Sequence, residues 1–393
     1  MVTVRSFLLT LNVIFLTQPY NFSESATAEC TLTGNSLENL SSILTTCKEI
    51  SIANLQVPAN ETLALHAQND SIITFEGNIT FGYNERTGFL MTIRGNNITV
   101  VGAPGHLLDG GGARWWDGLG GNGGKRKPYF VQLRLKNSLL IGLNVKNTPK
   151  HCFRIYYSED VILTDITYNN LDGDTQGGHN TDAFGISNSK NITITNCIVF
   201  NQDDCIAIMS GSGHVITNNF CYGGHGISIG SVGGRDNNVV KNIFIKNNTV
   251  VNSENGIRIK TNYNTTGIVT NVTFDDITIE NITDYGFLIR GDYLNSGPTG
   301  NPTRGFELSH LNFRNIHGTV QSGGTNVYVL LSNGVASNWT AEDIKIVGGL
   351  KKDVQCLGIP SDCGLSCKDH NGGPSQYLSL FLLSTLIFLI VLR

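Results

Sequence analysis

The segment Ala183-Phe184-Gly185-Ile186-Ser187 is the first of five short segments that share one pattern. The other four are Cys205-Ile206-Ala207-Ile208-Met209, Gly226-Ile227-Ser228-Ile229-Gly230, Gly256-Ile257-Arg258-Ile259-Lys260 and Gly286-Phe287-Leu288-Ile289-Arg290. The second and fourth residues are Phe or Ile in every segment. Because side chains alternate between the two faces of a strand, these residues point the same way. The segments recur at intervals of about 20 to 35 residues, which indicates a repeating structural unit.

Further short strands lie between these segments, and they predict the fold class. They include Ile192-Thr193-Ile194, Val272-Thr273-Phe274 and Ile277-Thr278-Ile279, separated by turns rich in Gly, Asn and Asp. A β-sandwich would also contain short strands, but it would not give them a shared register. The pattern therefore predicts an all-β, single-domain parallel β-helix with Ile and Phe stacked inside and coils about 4.8 Å apart.

Composition and charge limit the classes of function. The chain has 393 residues, 45 of them Gly and 9 Pro, with a hydrophobic fraction of 40%. This composition excludes disorder and collagen. A formal net charge of −4 gives no argument for nucleic acid or an anionic membrane as a partner. Attraction for an acidic substrate would have to come from a local cluster of cations.

The ends of the chain suggest export. Residues 1–28 have the pattern of a signal peptide, with Arg5, an apolar stretch and Ala26-Thr27-Ala28 as the cleavage site. Residues 29–370 are then the β-helix domain. Residues 371–393 form a hydrophobic tail, which is either a signal for a glycolipid anchor at the cell surface or an apolar tail of another kind. Several Asn-x-Ser/Thr acceptor sites agree with export, namely Asn60, Asn78, Asn97, Asn191, Asn271, Asn281 and Asn338.

Nine cysteines leave at least one without a partner. Cys30 and Cys47 are close enough in sequence to close a small loop, as are Cys205 and Cys221. Cys152 and Cys197 are expected as buried thiols. One further bridge is expected among Cys356, Cys363 and Cys367. A zinc site for these three is disfavoured because an oxidising compartment favours disulfides and no nearby His/Cys pair completes a ligand set.

The alignment of the five segments predicts which polar residues are neighbours. The residues directly before the segments should occupy one corner of successive coils, and they are Asp182, Asp204, His225, Asn255 and Tyr285. Arg258, Lys260 and Arg290 should point outward on the later coils. One face would therefore carry carboxylates, then a histidine, then a patch of cations.

Paired carboxylates on this face suggest hydrolysis of glycosidic bonds, in which one carboxyl protonates the leaving oxygen and another activates water. Asp182 and Asp204 share a position and could hold a water molecule, which makes Asp203 the expected general acid. Crowding should raise the pKa of the acid, and His225 could hydrogen-bond a carboxylate and tune its protonation. Each of these motifs taken alone is also typical of an ordinary turn.

Cations beside the carboxylates suggest an anionic sugar. The guanidinium of Arg258 suits a planar carboxylate, and Lys260 would act as a point charge. Tyr293 could stack on a sugar ring or position a carboxylate. An ordinary solvated surface is the alternative for the two cations.

Four motifs, in order, resemble the signature of the polygalacturonases, which cleave pectin. They are Asn180-Thr181-Asp182, Asn201-Gln202-Asp203-Asp204-Cys205, Gly224-His225-Gly226 and Arg258-Ile259-Lys260. The resemblance extends from about Cys30 to Cys367 and is greatest with the fungal type. It implies a right-handed parallel β-helix that hydrolyses α-1,4-linked galacturonan with inversion and without a cofactor or metal.

The resemblance also assigns roles to residues. It makes Asp203 the general acid, gives the water to Asp182 and Asp204, and places His225 in the catalytic site. It groups Asn180, Arg258, Lys260 and Tyr293 as substrate-binding residues, and it pairs Cys30 with Cys47 and Cys205 with Cys221. The enzyme is expected to act on pectin as a secreted monomer.

Three departures from the family pattern affect the expected cleft. Gly185 replaces a usual carboxylate, Met209 a usual Asn, and Arg290-Gly291 a Gln-rich pair. An endo-acting enzyme is expected, and these departures leave two alternatives, an exo-acting enzyme and a hydrolase of substituted pectin. A pectin-binding protein without catalysis is a further alternative, although the three aspartates are all present. A calcium-dependent pectate lyase is the weakest of the alternatives.

Overall fold

The computed structural model describes residues 27–350 and 356–365. The expected signal peptide and the hydrophobic tail therefore lie almost wholly outside the described residues, as does Cys367. Within them there are two short α-helices, α1 (Leu40–Thr46) and α2 (Asp172–Gln176), and two 3-10 turns, Ala28–Cys30 and Gly112–Arg114.

Thirty strands make up the rest of the regular structure in the described part of the chain. They are β1 (Thr31–Gly34), β2 (Glu49–Val57), β3 (Leu63–His66), β4 (Ile72–Glu76), β5 (Asn78–Phe81), β6 (Phe89–Asn96), β7 (Thr99–Gly102), β8 (Leu107–Asp109), β9 (Tyr129–Ile141), β10 (Asn144–Lys146), β11 (Phe153–Tyr156), β12 (Glu159–Thr164), β13 (Thr167–Asn169), β14 (Phe184–Ser187), β15 (Ser189–Thr195), β16 (Ile198–Asn201), β17 (Ile206–Ile208), β18 (Gly211–Ser212), β19 (Val215–Thr217), β20 (Phe220–Gly223), β21 (Ile227–Val232), β22 (Val239–Val251), β23 (Asn255–Asn262), β24 (Gly267–Ile282), β25 (Tyr285–Tyr293), β26 (Phe306–Val320), β27 (Thr325–Leu330), β28 (Ala336–Ser337), β29 (Thr340–Val347) and β30 (Cys356–Leu357).

The strands stack in three parallel ladders that run the length of a solenoid. The ladder that carries the polar face, here called the cleft ladder, contains β3, β6, the start of β9, β11, β14, β17, β21, β23, β25, β27 and β30. A second ladder runs from β1 and β2 to β29. A third starts at the end of β2 and passes through β5, β8, β10, β13, β16 and β20. The predicted parallel β-helix is confirmed.

The register within the cleft ladder is the one that the sequence alignment predicts. Phe184 pairs with Ile206, Ile206 with Ile227, Ile227 with Ile257 and Ile257 with Phe287. All five side chains are at most 2% exposed. Fully burying a side chain of this size stabilises a fold by about 1.5–3 kcal/mol, so the internal stack is a major source of stability.

Asparagine shapes the corners of the coils. Among the described non-glycine residues with positive φ, all except Tyr157 and His310 are Asn or Asp. Their short polar side chains tolerate the left-handed conformation that a tight corner requires. They also hydrogen-bond along the stack, as where Asn271 Nδ2 donates to Asn242 Oδ1 at 2.8 Å and Asn281 Nδ2 donates to Asn252 Oδ1 at 2.7 Å. The Asn-rich turns of the sequence are therefore stacked structural corners.

Helix α1 lies at the N-terminal end of the solenoid. Its apolar residues Leu40, Ile43 and Leu44 are buried and belong to the core cluster that runs through the coils. The disulfide Cys30–Cys47 joins the residue after α1 to the 3-10 turn that precedes β1. The helix thus covers the first coil and is held there covalently.

The cysteines fall largely where they were expected. The bridges Cys30–Cys47 and Cys205–Cys221 are both present, and Cys152 and Cys197 are buried free thiols. At the C-terminal end Cys356 is disulfide-bonded and Cys363 is a buried free thiol.

Candidate active site

The polar residues predicted to share a corner lie where the third ladder turns into the cleft ladder. Asp182 precedes β14, Asp203 and Asp204 lie between β16 and β17, and His225 lies between β20 and β21. The backbone N–H of Ala183 donates to the carbonyl oxygen of Asp204 at 3.0 Å. Adjacent coils therefore bring the three aspartates together.

Asp203 is buried and makes hydrogen bonds through both of its carboxylate oxygens. Its Oδ1 accepts the backbone N–H of Asp204 at 2.7 Å and lies 3.0 Å from Nδ1 of His225, while its Oδ2 accepts Nδ2 of Asn180 at 3.0 Å. Burial alone would raise the pKa of Asp203, but the charge and hydrogen bond of His225, with the charges of Lys260 and Arg258, lower it well below its usual range. Asp203 is therefore ionised in the substrate-free site.

Asp204 is enclosed by cations. Its Oδ1 accepts hydrogen bonds from Arg258 Nη2 at 2.5 Å and from Ser228 Oγ at 2.7 Å, and its Oδ2 accepts one from Lys260 Nζ at 2.9 Å. Burial would raise its pKa, but the attraction of Lys260 and Arg258 outweighs burial and lowers the pKa. Asp204 is a fixed, buried anion.

Asp182 has the opposite electrostatic environment. Burial, together with the negative charges of Asp203 and Asp204, holds the pKa of Asp182 well above its usual range. Its Oδ2 lies 3.3 Å from Nδ1 of His151, and its Oδ1 has no hydrogen-bond partner among the described residues. Burial lowers the pKa of His151 to about 4, so the ring is neutral at mildly acidic pH and can accept a hydrogen bond from a protonated Asp182.

The expectation that crowding raises the pKa of Asp203 is wrong. Crowding does raise a carboxyl pKa in this site, but the carboxyl is Asp182 and not Asp203. The reason is the local charge: Asp203 faces His225, whereas Asp182 faces a neutral imidazole.

His225 links Asp203 to a second carboxylate, Glu254. Its Nδ1 lies 3.0 Å from Asp203 Oδ1, and its Nε2 lies 3.0 Å from Glu254 Oε2. Burial alone would lower its pKa, but Asp203 and Glu254 raise the pKa to about 10. His225 is therefore a cation between two anions, and it holds a proton beside Asp203.

The cations on the later coils were expected to point outward as a patch that binds an anionic sugar, and each of them already has a carboxylate partner. Arg258 and Lys260 are buried, since both bind Asp204. Arg290 forms a two-pronged ion pair with buried Asp292, at 2.8 Å from Nε and 3.2 Å from Nη2, so its charge is already matched. The prediction that Arg290 extends the cationic patch is therefore wrong. Tyr293 is half-buried, and its ring lies 5.2 Å from Lys260 Nζ.

The sequence model of glycosyl hydrolases family 28 matches residues 47–367 of this chain. The chain belongs to glycosyl hydrolase family 28. It is accordingly a glycoside hydrolase, and a site built from clustered carboxylates is what that chemistry requires.

Two proteins with known names are similar to this chain along most of their length. A polygalacturonase of Saccharomyces cerevisiae is 47% identical over 370 residues, which are 93% of this chain and 100% of that protein. Endopolygalacturonase I of Aspergillus oryzae is 49% identical over 342 residues, covering 86% of this chain and 92% of that protein.

Solved structures of similar proteins share the architecture. Endopolygalacturonase I from Stereum purpureum, complexed with two galacturonates, matches with a TM-score of 0.74 at 38% identity and covers 81% of this chain and 95% of that one. The endo-xylogalacturonan hydrolase from Aspergillus tubingensis matches with a TM-score of 0.75 at 23% identity, covering 86% and 98%, which shows the fold alone. The right-handed parallel β-helix is confirmed.

Sequence reasoning missed four residues that complete this family 28 site. Glu254 and His151 contact the site from turns that carry no sequence signature. Ser228, the third residue of its quoted segment, bridges Arg258 and Asp204. Asn201 Nδ2 donates to the backbone carbonyls of Thr181, Asp203 and Asp204 at 3.0–3.1 Å. Asn201 is the first residue of the motif Asn201-Gln202-Asp203-Asp204-Cys205, and this position was the one sequence signal for its role.

The residues present do not suit a metal ion. Asp203, Asp204 and His225 place one ligand atom each within 4.8 Å of one another. However, Arg258 and Lys260 already neutralise Asp204, and His225 is protonated and so lacks a free lone pair. A divalent cation there would have to displace or repel three positive charges.

Proposed function

We propose that this chain is a polygalacturonase that hydrolyses the α-1,4 linkages of galacturonan with inversion. The observation that carries the proposal is the cluster of Asp182, Asp203 and Asp204 on adjacent coils, directly beside Arg258 and Lys260. Carboxylates supply the acid and base of glycoside hydrolysis, and the cations suit a sugar that bears a carboxylate. The relatives named as polygalacturonases support the choice of galacturonan.

In this mechanism Asp203 delivers the proton to the leaving oxygen. Its Oδ1 is tied to His225 and to the backbone of Asp204, whereas its Oδ2 is held only by Asn180. Oδ2 is therefore the oxygen that can carry a proton toward the cleft. In the substrate-free site the nearby protons reside on His225 and Asp182, so one of them must move to Asp203 before the bond breaks.

Asp182 and Asp204 would position and activate the attacking water. Asp204 stays ionised and fixed by its two cations, which makes it an orienting hydrogen-bond acceptor. Asp182 has the raised pKa that suits a general base once its own proton has moved to Asp203. The resting site therefore has the proton on Asp182, whereas the site that is ready for catalysis has it on Asp203.

We propose endo action, because cationic side chains lie on both sides of the three aspartates. Arg258 and Lys260 occupy a later coil, and Lys150 and Arg154 precede Asp182 on the coil of β11. A long polyanion could therefore bind across the aspartates from either side. An exo-acting enzyme would need one side closed.

The deciding experiment compares wild type with Asp203→Asn on polygalacturonic acid at mildly acidic pH, following reducing ends and product sizes in the presence of EDTA. We expect mixed oligomers from wild type and at least a thousandfold loss of rate in the variant, on the order expected when the general acid is removed. Circular dichroism would show that the variant is folded, since Asn is close to Asp in size. Failure of folded wild type to cleave either polygalacturonate or methylated pectin would instead favour a pectin-binding protein.

We also propose that the enzyme is secreted as a monomer, with residues 1–28 removed and residues 371–393 either replaced by a glycolipid anchor or kept as an apolar tail. The disulfides Cys30–Cys47 and Cys205–Cys221 support an oxidising compartment. No helix among the described residues is long and apolar enough to cross a membrane. Mass spectrometry of the secreted protein would give both ends of the mature chain, and release by a phospholipase would indicate the anchor.

A further inference from the structure

Two cations with no ion-pair partner lie beside the catalytic aspartates, on the opposite side from Arg258 and Lys260. The Arg154 guanidinium carbon is 4.4 Å from the centre of the Tyr129 ring, and Lys150 Nζ is 4.0 Å from the same centre. Among the described residues neither side chain has a hydrogen bond or ion pair with a carboxylate. This differs from the cations across the site, where Arg258 and Lys260 bind Asp204 and Arg290 binds Asp292.

The positively charged side chains of Arg154 and Lys150 repel each other. Both side chains are half-buried against one aromatic ring, and burial together with the charge of Arg154 lowers the pKa of Lys150. Burial and, to a smaller extent, the charge of Arg154 lower the pKa of Arg235. A third cation is therefore near enough to interact with the pair. Gathering like charges without an anion is unfavourable, and an incoming anion would relieve the repulsion.

The register places this pair in line with the catalytic centre. Arg154 pairs with Gly185 in the cleft ladder, and Gly185 comes three residues after Asp182. Arg154 lies one coil before Gly185 and two coils before Ala207, which follows Asp204, or about 5 and 10 Å along the stack, so Arg154 faces a neighbouring sugar of a bound chain and not the scissile bond. The same column continues through Gly185 and Ala207 to Ser228 and Arg258.

Gly185 has no side chain, so the surface beside Arg154, here called the floor of the subsite, is open. A Cβ added there would meet only Met209 Cε at 3.5 Å and the carbonyl oxygen of Phe153 at 3.8 Å, which are ordinary contacts. A carboxylate at this position, where the family pattern usually has one, would stand beside Arg154 and neutralise it. With glycine there, the guanidinium is left for a ligand.

We propose that Arg154 and Lys150, over the open floor of Gly185, form a second binding subsite for a substrate carboxylate, on the far side of the aspartates from Arg258. The proposal rests on the proposed galacturonan hydrolase function and deepens it. Arg154 supplies the paired donors that a planar carboxylate accepts, and Lys150 supplies a second charge. The subsite would favour long, de-esterified chains, because a methyl ester presents no charge to it.

The test measures kcat and KM on galacturonate oligomers of increasing length for wild type and Arg154→Gln. For the longer oligomers we expect KM to rise about tenfold with kcat little changed, which is the size of one lost charge-assisted hydrogen bond. For the shortest oligomer that is cleaved, which does not reach Arg154, we expect no change. Lys241→Gln is the control, since Lys241 is exposed on the second ladder and away from the cleft.

A second pair of variants tests the charge without removing Arg154. Gly185→Asp should reproduce the loss on long oligomers, because the new carboxylate would pair with Arg154. Gly185→Asn has the same size without the charge, so the difference between the two isolates the electrostatic effect. The glycine does not have a positive φ, and neither substitution strains the backbone.

The outcomes separate this proposal from the function on which it rests. If wild type cleaves oligomers but Arg154→Gln has the same KM at every length, or weakens all lengths equally, the subsite proposal is wrong and the hydrolase remains. If Gly185→Asp and Gly185→Asn behave alike on long oligomers, Arg154 does not bind a carboxylate there. If wild type cleaves nothing, the proposed function itself fails.

Discussion

At the scale of single residues, the three aspartates of the site differ in what surrounds them. Asp203 faces a protonated histidine, Asp204 faces an arginine and a lysine, and Asp182 faces a neutral histidine. Burial and the charges of Asp203 and Asp204 raise the pKa of Asp182, whereas the neighbouring cations outweigh burial and lower the pKa of Asp203 and of Asp204. Identical side chains are thereby prepared for different tasks.

Glu254→Gln tests whether the proton on His225 takes part in catalysis. Glu254 helps to raise the pKa of His225, so the variant should release that proton at lower pH than wild type. The alkaline limb of kcat/KM against pH should therefore move toward acid. Glu280→Gln is the matched control, because Glu280 is exposed one coil further on. Superimposable profiles for Glu254→Gln and wild type would show that the proton is not used.

Asp182→Asn should abolish most activity and yet stabilise the protein at neutral pH. The folded-state pKa of Asp182 is raised, so the stability it contributes is present below its unfolded pKa of about 3.9 and is lost as pH rises through the folded value. Asn does not titrate, and we expect its Tm at neutral pH to exceed wild type by roughly a few degrees. The difference should shrink toward about pH 4, near the unfolded pKa.

The matched control for that measurement is Asp165→Asn, at an exposed corner outside the site. Scanning calorimetry of all three proteins at both pH values provides the comparison. Equal pH dependence of Tm in Asp182→Asn and wild type would contradict the assigned environment of Asp182.

At the scale of elements, β14 shows how core packing supports the site. Phe184 is fully buried, and its ring stacks on Phe153 at 5.3 Å, two residues after Asp182. Phe184→Ala should lower the free energy of unfolding by about 3–5 kcal/mol, as cavities of this size do. Phe244→Ala is the control, because Phe244 is 38% exposed on β22. Similar losses in the two variants, measured by denaturant unfolding, would argue against the internal stack as a source of stability.

Particular elements also show what the sequence could predict. The Phe/Ile alternation predicted the register of β14, β17, β21, β23 and β25, because packing into a shared core permits one alignment. The corner position of the aspartates followed from that register. Glu254, His151 and the Arg290–Asp292 pair could not be predicted, since their contacts depend on the path of each turn and the rotamer of each side chain.

At the scale of the whole molecule, charge is unevenly distributed. The chain carries a formal net charge of −4, while the cleft presents Lys150 and Arg154 without carboxylate partners among the described residues. Attraction of a polyanion to such a cleft is screened by salt over a Debye length of about 8 Å at physiological ionic strength. We expect KM for polygalacturonate to rise with added NaCl while kcat changes little. Sucrose at matched viscosity is the control, and a KM that is flat in salt would contradict the expectation.

Helix α1 has a consequence for how copies of the molecule meet. Every described strand pairs in parallel with strands of the coils beside it, so an uncovered terminal coil would offer a row of unpaired backbone groups to the terminal coil of another copy. The buried Leu40, Ile43 and Leu44 cover that row at the N-terminal end, and the Cys30–Cys47 bridge keeps them there. We therefore expect the cap to hinder end-to-end strand pairing between copies, and reduction of the Cys30–Cys47 bridge to weaken that protection.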